Sequence, residues 1–289
     1  MHWRTHPNDV RPTVLILGGF LTAPPMYRRF VKRLLDRGAA GVVVSRVWTP
    51  DWLIAARRGS AAITTRSGRA LVAASRLSAE VSGGAPLLVV GHSAGGLIAR
   101  LLTAPEPFPG RRFGAASRIG AIVTLGTPHA LSAGEGVGRR IDEIVSGVAE
   151  AAVPGAFYSP EISYVSVASR AIRGDLAGSG RERVAYLLYR SVMGRAAEPG
   201  TLGDGLVPVE AAMLVGAQRV VLDGAFHGQG GGGPWYGTDR AMDVWWPVAV
   251  ASWREALACR ATGRPAAGVD GVSRAPADLT AALPSRGTT

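Results

Sequence analysis

Six short apolar runs recur along the chain, at Val14–Leu17, Val42–Val47, Leu87–Val90, Ile119–Leu125, Ile162–Val167 and Val220–Leu222. Runs this short, rich in β-branched residues and lacking polar alternation, read as strands buried on both faces. Longer segments that can hold helices separate them, which predicts an α/β architecture: a mostly parallel sheet with helices on both faces. Between the first two runs, Met26–Arg37 sets Phe30 against Leu34 and Val31 against Leu35, and Gly38 supplies a helix stop. The same periodicity predicts helices near Ala70–Val81, Ala94–Leu102 and Asp239–Ala258.

Two connections, Thr127–Glu161 and Ser169–Arg219, are longer than joining strands requires, and substrate-covering segments arise in such places. Cap segments are therefore expected at 127–161 and 169–203. The first carries Leu131, Val137, Ile141, Ile144, Val145 and Val148, the later members at helical spacing, with Gly134, Gly136 and Gly138 as hinges. It reads either as a mobile lid or as an amphipathic helix packed permanently on the sheet. Beyond Arg260 the residues Ala, Gly, Pro, Ser and Thr dominate without periodicity. The expected organisation is a catalytic domain over 1–260 and a flexible tail over 261–289.

The chemistry concentrates in Leu87-Leu88-Val89-Val90-Gly91-His92-Ser93-Ala94-Gly95-Gly96-Leu97-Ile98, a buried strand running through G-x-S-x-G into a helix. A sharp strand-to-helix turn would lift the Ser93 hydroxyl above the sheet edge, and the flanking glycines remove side chains that would collide. The helix that starts there favours negative charge developing beside the nucleophile. A serine hydroxyl needs a base that titrates near neutrality, which directs attention to the five histidines. His2 and His6 lie in the N-terminal arm, and His92 is expected to point away from the position of a base. His129, in Leu125-Gly126-Thr127-Pro128-His129, reads as a rim or hydrogen-bonded structural residue. His227 follows the last strand in a Gly-rich loop, in the chain order Ser, acid, His, and is the expected base.

The acid that orients it should come from a loop after a later strand. Asp204, in the tight turn Gly203-Asp204-Gly205-Leu206-Val207-Pro208, is the first choice, and Asp175, beyond the Ile162 run, remains a rival. Asp223 lies so near His227 that a turn-capping role is expected. The oxyanion requires two preorganised N–H donors, which on this pattern are Ala94 and, after Leu17-Gly18-Gly19, Phe20. Gly134-x-Gly136-x-Gly138 has no strand fitted to a dinucleotide site, and neither a phosphate-binding loop nor zinc spacing occurs, so no cofactor or metal is expected. Trp48 and Trp52 read as core or as the lining of an apolar acyl pocket.

The chain resembles lipase and esterase-type α/β-hydrolases, particularly the plant and cyanobacterial inositol-deacylase-related (PGAP1-like) lipases. The resemblance rests on Leu17-Gly18-Gly19-Phe20, the Gly91–Gly96 elbow, Leu125–His129, Pro154-Gly155-Ala156-Phe157-Tyr158, Gly203–Pro208 and Leu222-Asp223-Gly224-Ala225-Phe226-His227, spread over about residues 12 to 258. It implies Ser93, Asp204 and His227 as the triad and hydrolysis of a carboxylic ester, with lipid esters as one substrate class. Acyl transfer or thioester cleavage through the same triad is the alternative, as is a ligand-binding role for a retained fold. Gly18-Gly19 stands where many lipases have His-Gly. The short segment before the first run leaves little room for an N-terminal hairpin, so a reduced, six-stranded sheet is expected.

Composition adds limits. Hydrophobic residues make up 47% and charged residues 18% of 289, a globular balance. A single cysteine, Cys259, excludes an intrachain disulfide, and the polar N-terminus lacks a signal-peptide core, so a cytoplasmic location is the default. The net charge is +11 and Lys32 is the lone lysine. The scattered arginines read as a solvated basic face or as a contact for an anionic membrane surface; without a recognition motif no nucleic acid is expected. Oligomeric state stays open.

Overall fold

The structure, a computed structural model, describes residues 10–106, 113–130, 147–262 and 279–281. Its principal strands are β1 (Thr13–Leu17), β2 (Gly41–Val44), β3 (Leu87–His92), β4 (Ile119–Leu125), β5 (Ser163–Arg170) and β8 (Gln218–Asp223). The two-residue strands β6 (Ile172–Arg173) and β7 (Leu202–Gly203) form a separate antiparallel ribbon, and β9 (Leu279–Ala281) joins the main sheet. The helices are α1 (Arg28–Asp36), α2 (Thr49–Arg58), α3 (Ala61–Val81), α4 (Ala94–Leu102), α5 (Gly147–Ala152), α6 (Gly180–Met193) and α7 (Asp239–Thr262).

The main sheet runs β2-β1-β3-β4-β5-β8-β9 with every pair parallel. The expected six strands are present, and β9 adds a short seventh beside β8, within the segment 261–289 expected as a tail. Leu279-Thr280-Ala281 is too short and too little apolar to stand out as a strand. Residues 263–278 and 282–289, the rest of that segment beyond α7, lie outside the described residues.

Alternation along the strands divides the core in two. Val14 and Ile16 face α1 and α7, packing with Phe30, Leu34, Trp245 and Trp253. Leu15 and Leu17 face the opposite layer, with Trp52, Ile63, Leu71, Leu97 and Ile98 from α2, α3 and α4. Each of these aliphatic side chains, fully removed from water, contributes about 1.5–3 kcal/mol. This double-sided burial explains why the strands appear as unbroken apolar runs.

Some bounds differ from the periodicity. The Val42–Val47 run pairs only to Val44. The helix expected near Ala70 starts at Ala61, because its buried stripe continues as Ile63, Thr64 and Ser67, small and hydroxylated residues that do not register as apolar. Helix α2 was not legible as an apolar stripe; the Asp51 carboxylate accepts the Trp48 N–H at 2.8 Å and Pro50 occupies its first turn. Helix α6 opens on a capping box in which Ser179 N–H donates to Glu182 Oε2 at 2.6 Å and Glu182 N–H to Ser179 Oγ at 3.4 Å.

Of the first long connection, residues 131–146 lie outside the described residues, and with them Leu131, Val137, Ile141, Ile144, Val145 and the three hinge glycines. Its described ends are tied to the core. Thr127 Oγ1 donates to the Ser93 carbonyl at 2.8 Å, and buried Arg100 of α4 reaches Glu150 Oε2 and the Val153 carbonyl, both at 2.6 Å. The second connection folds into β6, α6 and β7. Among the described residues no helix is long and apolar enough to cross a membrane.

Candidate active site

Strand order reverses between β1 and β3: from β1 the chain passes to β2 on one side, and β3 then lies on the other. The carboxyl ends of strands at such a reversal leave a crevice. The loop after β1 and Ser93 after β3 meet there.

Ser93 has φ 53° and ψ −130°, a conformation that non-glycine residues rarely adopt. The surroundings hold it: its N–H donates to the Leu125 carbonyl at 2.9 Å, and its own carbonyl takes the Thr127 hydroxyl. The turn also demands close approach. A Cβ on Gly95 would collide with the Leu17 carbonyl, and one on Gly19 would sit 2.6 Å from Ser93 Cβ. Ser93 Oγ forms no hydrogen bond among the described residues, and neither the Phe20 nor the Ala94 amide donates to any of them. The Phe20 ring packs edge-on against Trp52, centroids 5.6 Å apart.

His227 and Asp204 come together from separate loops. His227 Nδ1 lies 2.8 Å from Asp204 Oδ2, and His227 N–H donates to the Asp204 carbonyl at 2.9 Å. Asp204 Oδ1 accepts the amides of Val207 at 2.7 Å and Leu206 at 3.0 Å, and Tyr236 Oη donates to Oδ2 at 2.9 Å. Burial opposes the charge on this carboxylate, which is 1% exposed. The charge and hydrogen bond of His227, with the two amides, outweigh that cost and hold Asp204 below the ordinary aspartate range. An anionic Asp204 can only accept, so His227 Nδ1 carries a proton in either form of the ring, and in the neutral form Nε2 is the acceptor.

The two competing aspartates are engaged elsewhere. Asp175 Oδ1 accepts the Ala177 amide at 3.0 Å in its own turn and Oδ2 lies 3.5 Å from Arg173. Asp223 takes Arg170 Nε at 2.8 Å, an ion pair across β5 and β8 in place of the expected turn cap.

The other described histidines are buried. His92, expected to point away from the position of a base, lines the same cavity as Ser93 and His227, and its ring lies 5.1 Å from that of His227. Its Nε2 meets the His227 carbonyl at 2.8 Å and its Nδ1 meets Tyr27 Oη at 2.9 Å. Burial, reinforced by the nearby His227 charge, pushes it down to about 3. His129 is structural: Arg100 Nη1 donates to its Nδ1 at 3.3 Å, so Nε2 carries the proton toward Thr124 Oγ1 at 3.1 Å. Burial and the Arg100 charge hold it well below the ordinary value.

Ser93 and His227 line one cavity of about 390 Å³. Its walls are largely apolar: Phe20, Leu21 and Met26 from the loop after β1, Val192 from α6, Leu206 and Val207 beyond Asp204, and Trp235. The second connection thus supplies a wall of the cavity. Trp48 and Trp52 do not line it. Trp52 is buried under Phe20 in the core, while Trp48, 45% exposed, borders a separate surface groove. The tryptophan at the site is Trp235, in a Gly-rich stretch whose sequence carried no such signal. Tyr27 and Tyr236 are the other site residues that sequence reasoning missed; each meets its partner through contacts far apart in the chain.

No protein-family model and no curated protein matches the sequence. Among solved structures, the chain is similar to Bacillus licheniformis lipase BlEst2 in its propeptide form, with a TM-score of 0.54 and 15% identity over 85% of this chain. The chain spans 51% of the length of that form. Against the mature form the TM-score is 0.52 at 15% identity, covering 86% of this chain and 94% of the other. At this identity the likeness speaks to architecture. The parallel sheet, its helical layers and these two neighbours establish the α/β-hydrolase fold for this chain.

Proposed function

We propose that this chain is a serine hydrolase of carboxylic esters, with Ser93 as nucleophile, His227 as base and Asp204 as the group that orients the base. One observation carries the reading: a serine in a left-handed elbow conformation shares an apolar cavity with a histidine whose Nδ1 is held by a buried carboxylate. Ser93 Oγ attacks the ester carbonyl carbon as its proton passes to His227 Nε2. The carbonyl oxygen becomes an oxyanion facing the amides of Phe20 and Ala94. Collapse breaks the ester C–O bond, His227 returns its proton to the departing alcohol, and the acyl group remains on Ser93. Water then repeats the sequence, its proton going to His227 and on to Ser93 Oγ as the acid leaves.

The apolar walls suit an aliphatic or aromatic acyl group, and the likeness to a Bacillus lipase supports ester chemistry, including lipid esters. The motifs also resemble those of inositol-deacylase-related lipases. A thioesterase or acyltransferase would use the same acyl-enzyme and differ only in what enters or leaves.

Fluorophosphonate labelling tests this reading. The wild type is expected to label stoichiometrically, and Ser93→Ala to fold, escape labelling and lose several orders of magnitude in turnover of p-nitrophenyl esters. Retention of more than about a tenth of wild-type turnover would remove Ser93 from its role. Esters of graded chain length, phospholipids and acyl-CoA then separate the substrate classes.

A further inference from the structure

The ring of His92 and the phenol of Tyr27 join the two halves of the site. Tyr27 Oη accepts the Gly19 amide at 3.2 Å, directly beside Phe20. The same oxygen lies 2.9 Å from His92 Nδ1, and His92 Nε2 lies 2.8 Å from the His227 carbonyl. A carbonyl can only accept, so Nε2 carries the proton. In the neutral ring Nδ1 is then an acceptor, and the phenol donates to it. The hydrogen bonds run in one direction: Gly19 N–H to Tyr27, Tyr27 O–H to His92, His92 N–H to His227. Donors aligned this way polarise one another. Thr22 buttresses the loop end, its hydroxyl donating to the Gly19 carbonyl at 2.8 Å and lying 3.3 Å from the phenol.

We infer that Tyr27 and His92 are positioning residues, a hydrogen-bonded strut that sets the loop bearing the Phe20 amide and the backbone of His227 at a fixed separation across Ser93. The inference rests on the proposed roles of Ser93 and His227. Two features make the strut suited to this task. It consumes the Gly19 amide, while the next amide, Phe20, donates to no partner among the described residues. It also joins segments 135 residues apart through one side chain on the residue that precedes the nucleophile, so elbow, oxyanion loop and base share one reference point. Neither group transfers a proton in the reaction. Their effect is on geometry, where a displacement of about 1 Å can cost about a hundredfold in rate.

Tyr27→Phe and His92→Leu, alone and together, test the strut. Each single variant is expected to lower kcat for a p-nitrophenyl ester about ten- to a hundredfold with KM little changed, and to slow fluorophosphonate labelling of Ser93 by the same factor. Because both break one chain, the double variant is expected to lose little more than the worse single one. His92→Gln, which keeps a donor near the position of Nε2, is expected to restore much of the rate while Tyr27 remains. A residue needed only for folding would lower melting temperature without these couplings. Should His92→Leu fail to fold, Tyr27→Phe and His92→Gln carry the comparison. Wild-type kcat in Tyr27→Phe, fully additive losses, or no recovery with Gln would overturn the strut alone; failure of the wild type to label would overturn it together with the proposed function.

Discussion

His92 and His227 are the same residue in two neighbouring environments, with ring centroids 5.1 Å apart. His227 has a buried carboxylate on Nδ1, and its Nε2 is left for the cavity. His92 has a carbonyl on one nitrogen and a phenol on the other, both neutral, and is buried but for a small edge that lines the cavity. The carboxylate fixes the orientation of the His227 ring, whereas the neutral partners of His92 satisfy its ring without stabilising a cation. On the proposed function, the first is the histidine that accepts a proton in mid-reaction and the second is the one that holds its shape. The partner set, more than proximity to the serine, distinguishes them.

The strongest way to break this contrast is to remove the charge from the partner of His227. Asp204→Asn keeps the shape but can present its amide to the ring, which favours the wrong tautomer. Turnover is expected to fall by about ten-thousandfold. Asp175→Asn and Asp223→Asn, which touch other partners, are expected to change kcat less than about threefold. Steady-state kinetics on the three variants checks this, and a crippled Asp175→Asn would move the acid to that residue.

The second way reads the neutrality of His92 through stability. Its pKa falls from 6.5 to about 3 on folding, so below 6.5 the unfolded chain binds a proton that the folded chain refuses. The stability associated with the neutral ring is therefore complete above 6.5 and is lost as pH falls toward about 3. The loss amounts to roughly 1 kcal/mol per pH unit. His129, also held down by burial and Arg100, adds in the same direction. Asp204, lowered from 3.8, adds its own loss only at lower pH still. Urea unfolding at stepped pH is expected to show stability falling steadily from near neutrality to about pH 4, and His92→Gln to flatten that slope. An unchanged slope in the variant would mean that His92 titrates alike in both states.

What the sequence disclosed about these rings follows the range of the interactions. The elbow was legible because its signal is local: an apolar strand, glycines at fixed spacing and a helix within a dozen residues, all acting on Ser93. Asp204 was legible as a choice between rivals, since its tight turn is local while its hydrogen bond to His227 is not. The partner of His92 was hidden, because Tyr27 stands in an unremarkable amphipathic stretch and meets His92 only when β1 and β3 pair side by side. Trp48 and Trp52 looked suitable for the pocket from their place after a strand, but helix α2 turns Trp52 into the core and Trp48 outward. The tryptophan that reaches the cavity is set by the bridge between Phe226 and Trp235, a contact with no periodic signature.

The finest test concerns how much of the Asp204 environment belongs to the His227 side of the contrast. Oδ2 accepts both His227 Nδ1–H and the Tyr236 phenol, while Oδ1 is fixed by the Val207 and Leu206 amides. The phenol stays protonated, since burial and the adjacent carboxylate raise it well above the ordinary tyrosine value. Tyr236→Phe removes one charge-assisted hydrogen bond, yet the two amides still set the carboxylate plane and His227 still reaches Oδ2. A small loss is therefore expected, about fivefold in kcat or ~1 kcal/mol of barrier, with KM unchanged and a modest drop in melting temperature. The phenol also competes with His227 for electron density on Oδ2, which keeps the net loss below that of an ordinary buried hydrogen bond to a charge. If Tyr236→Phe instead falls as far as Asp204→Asn, the phenol rather than the amides orients the acid, and the partner set that separates His227 from His92 must include Tyr236.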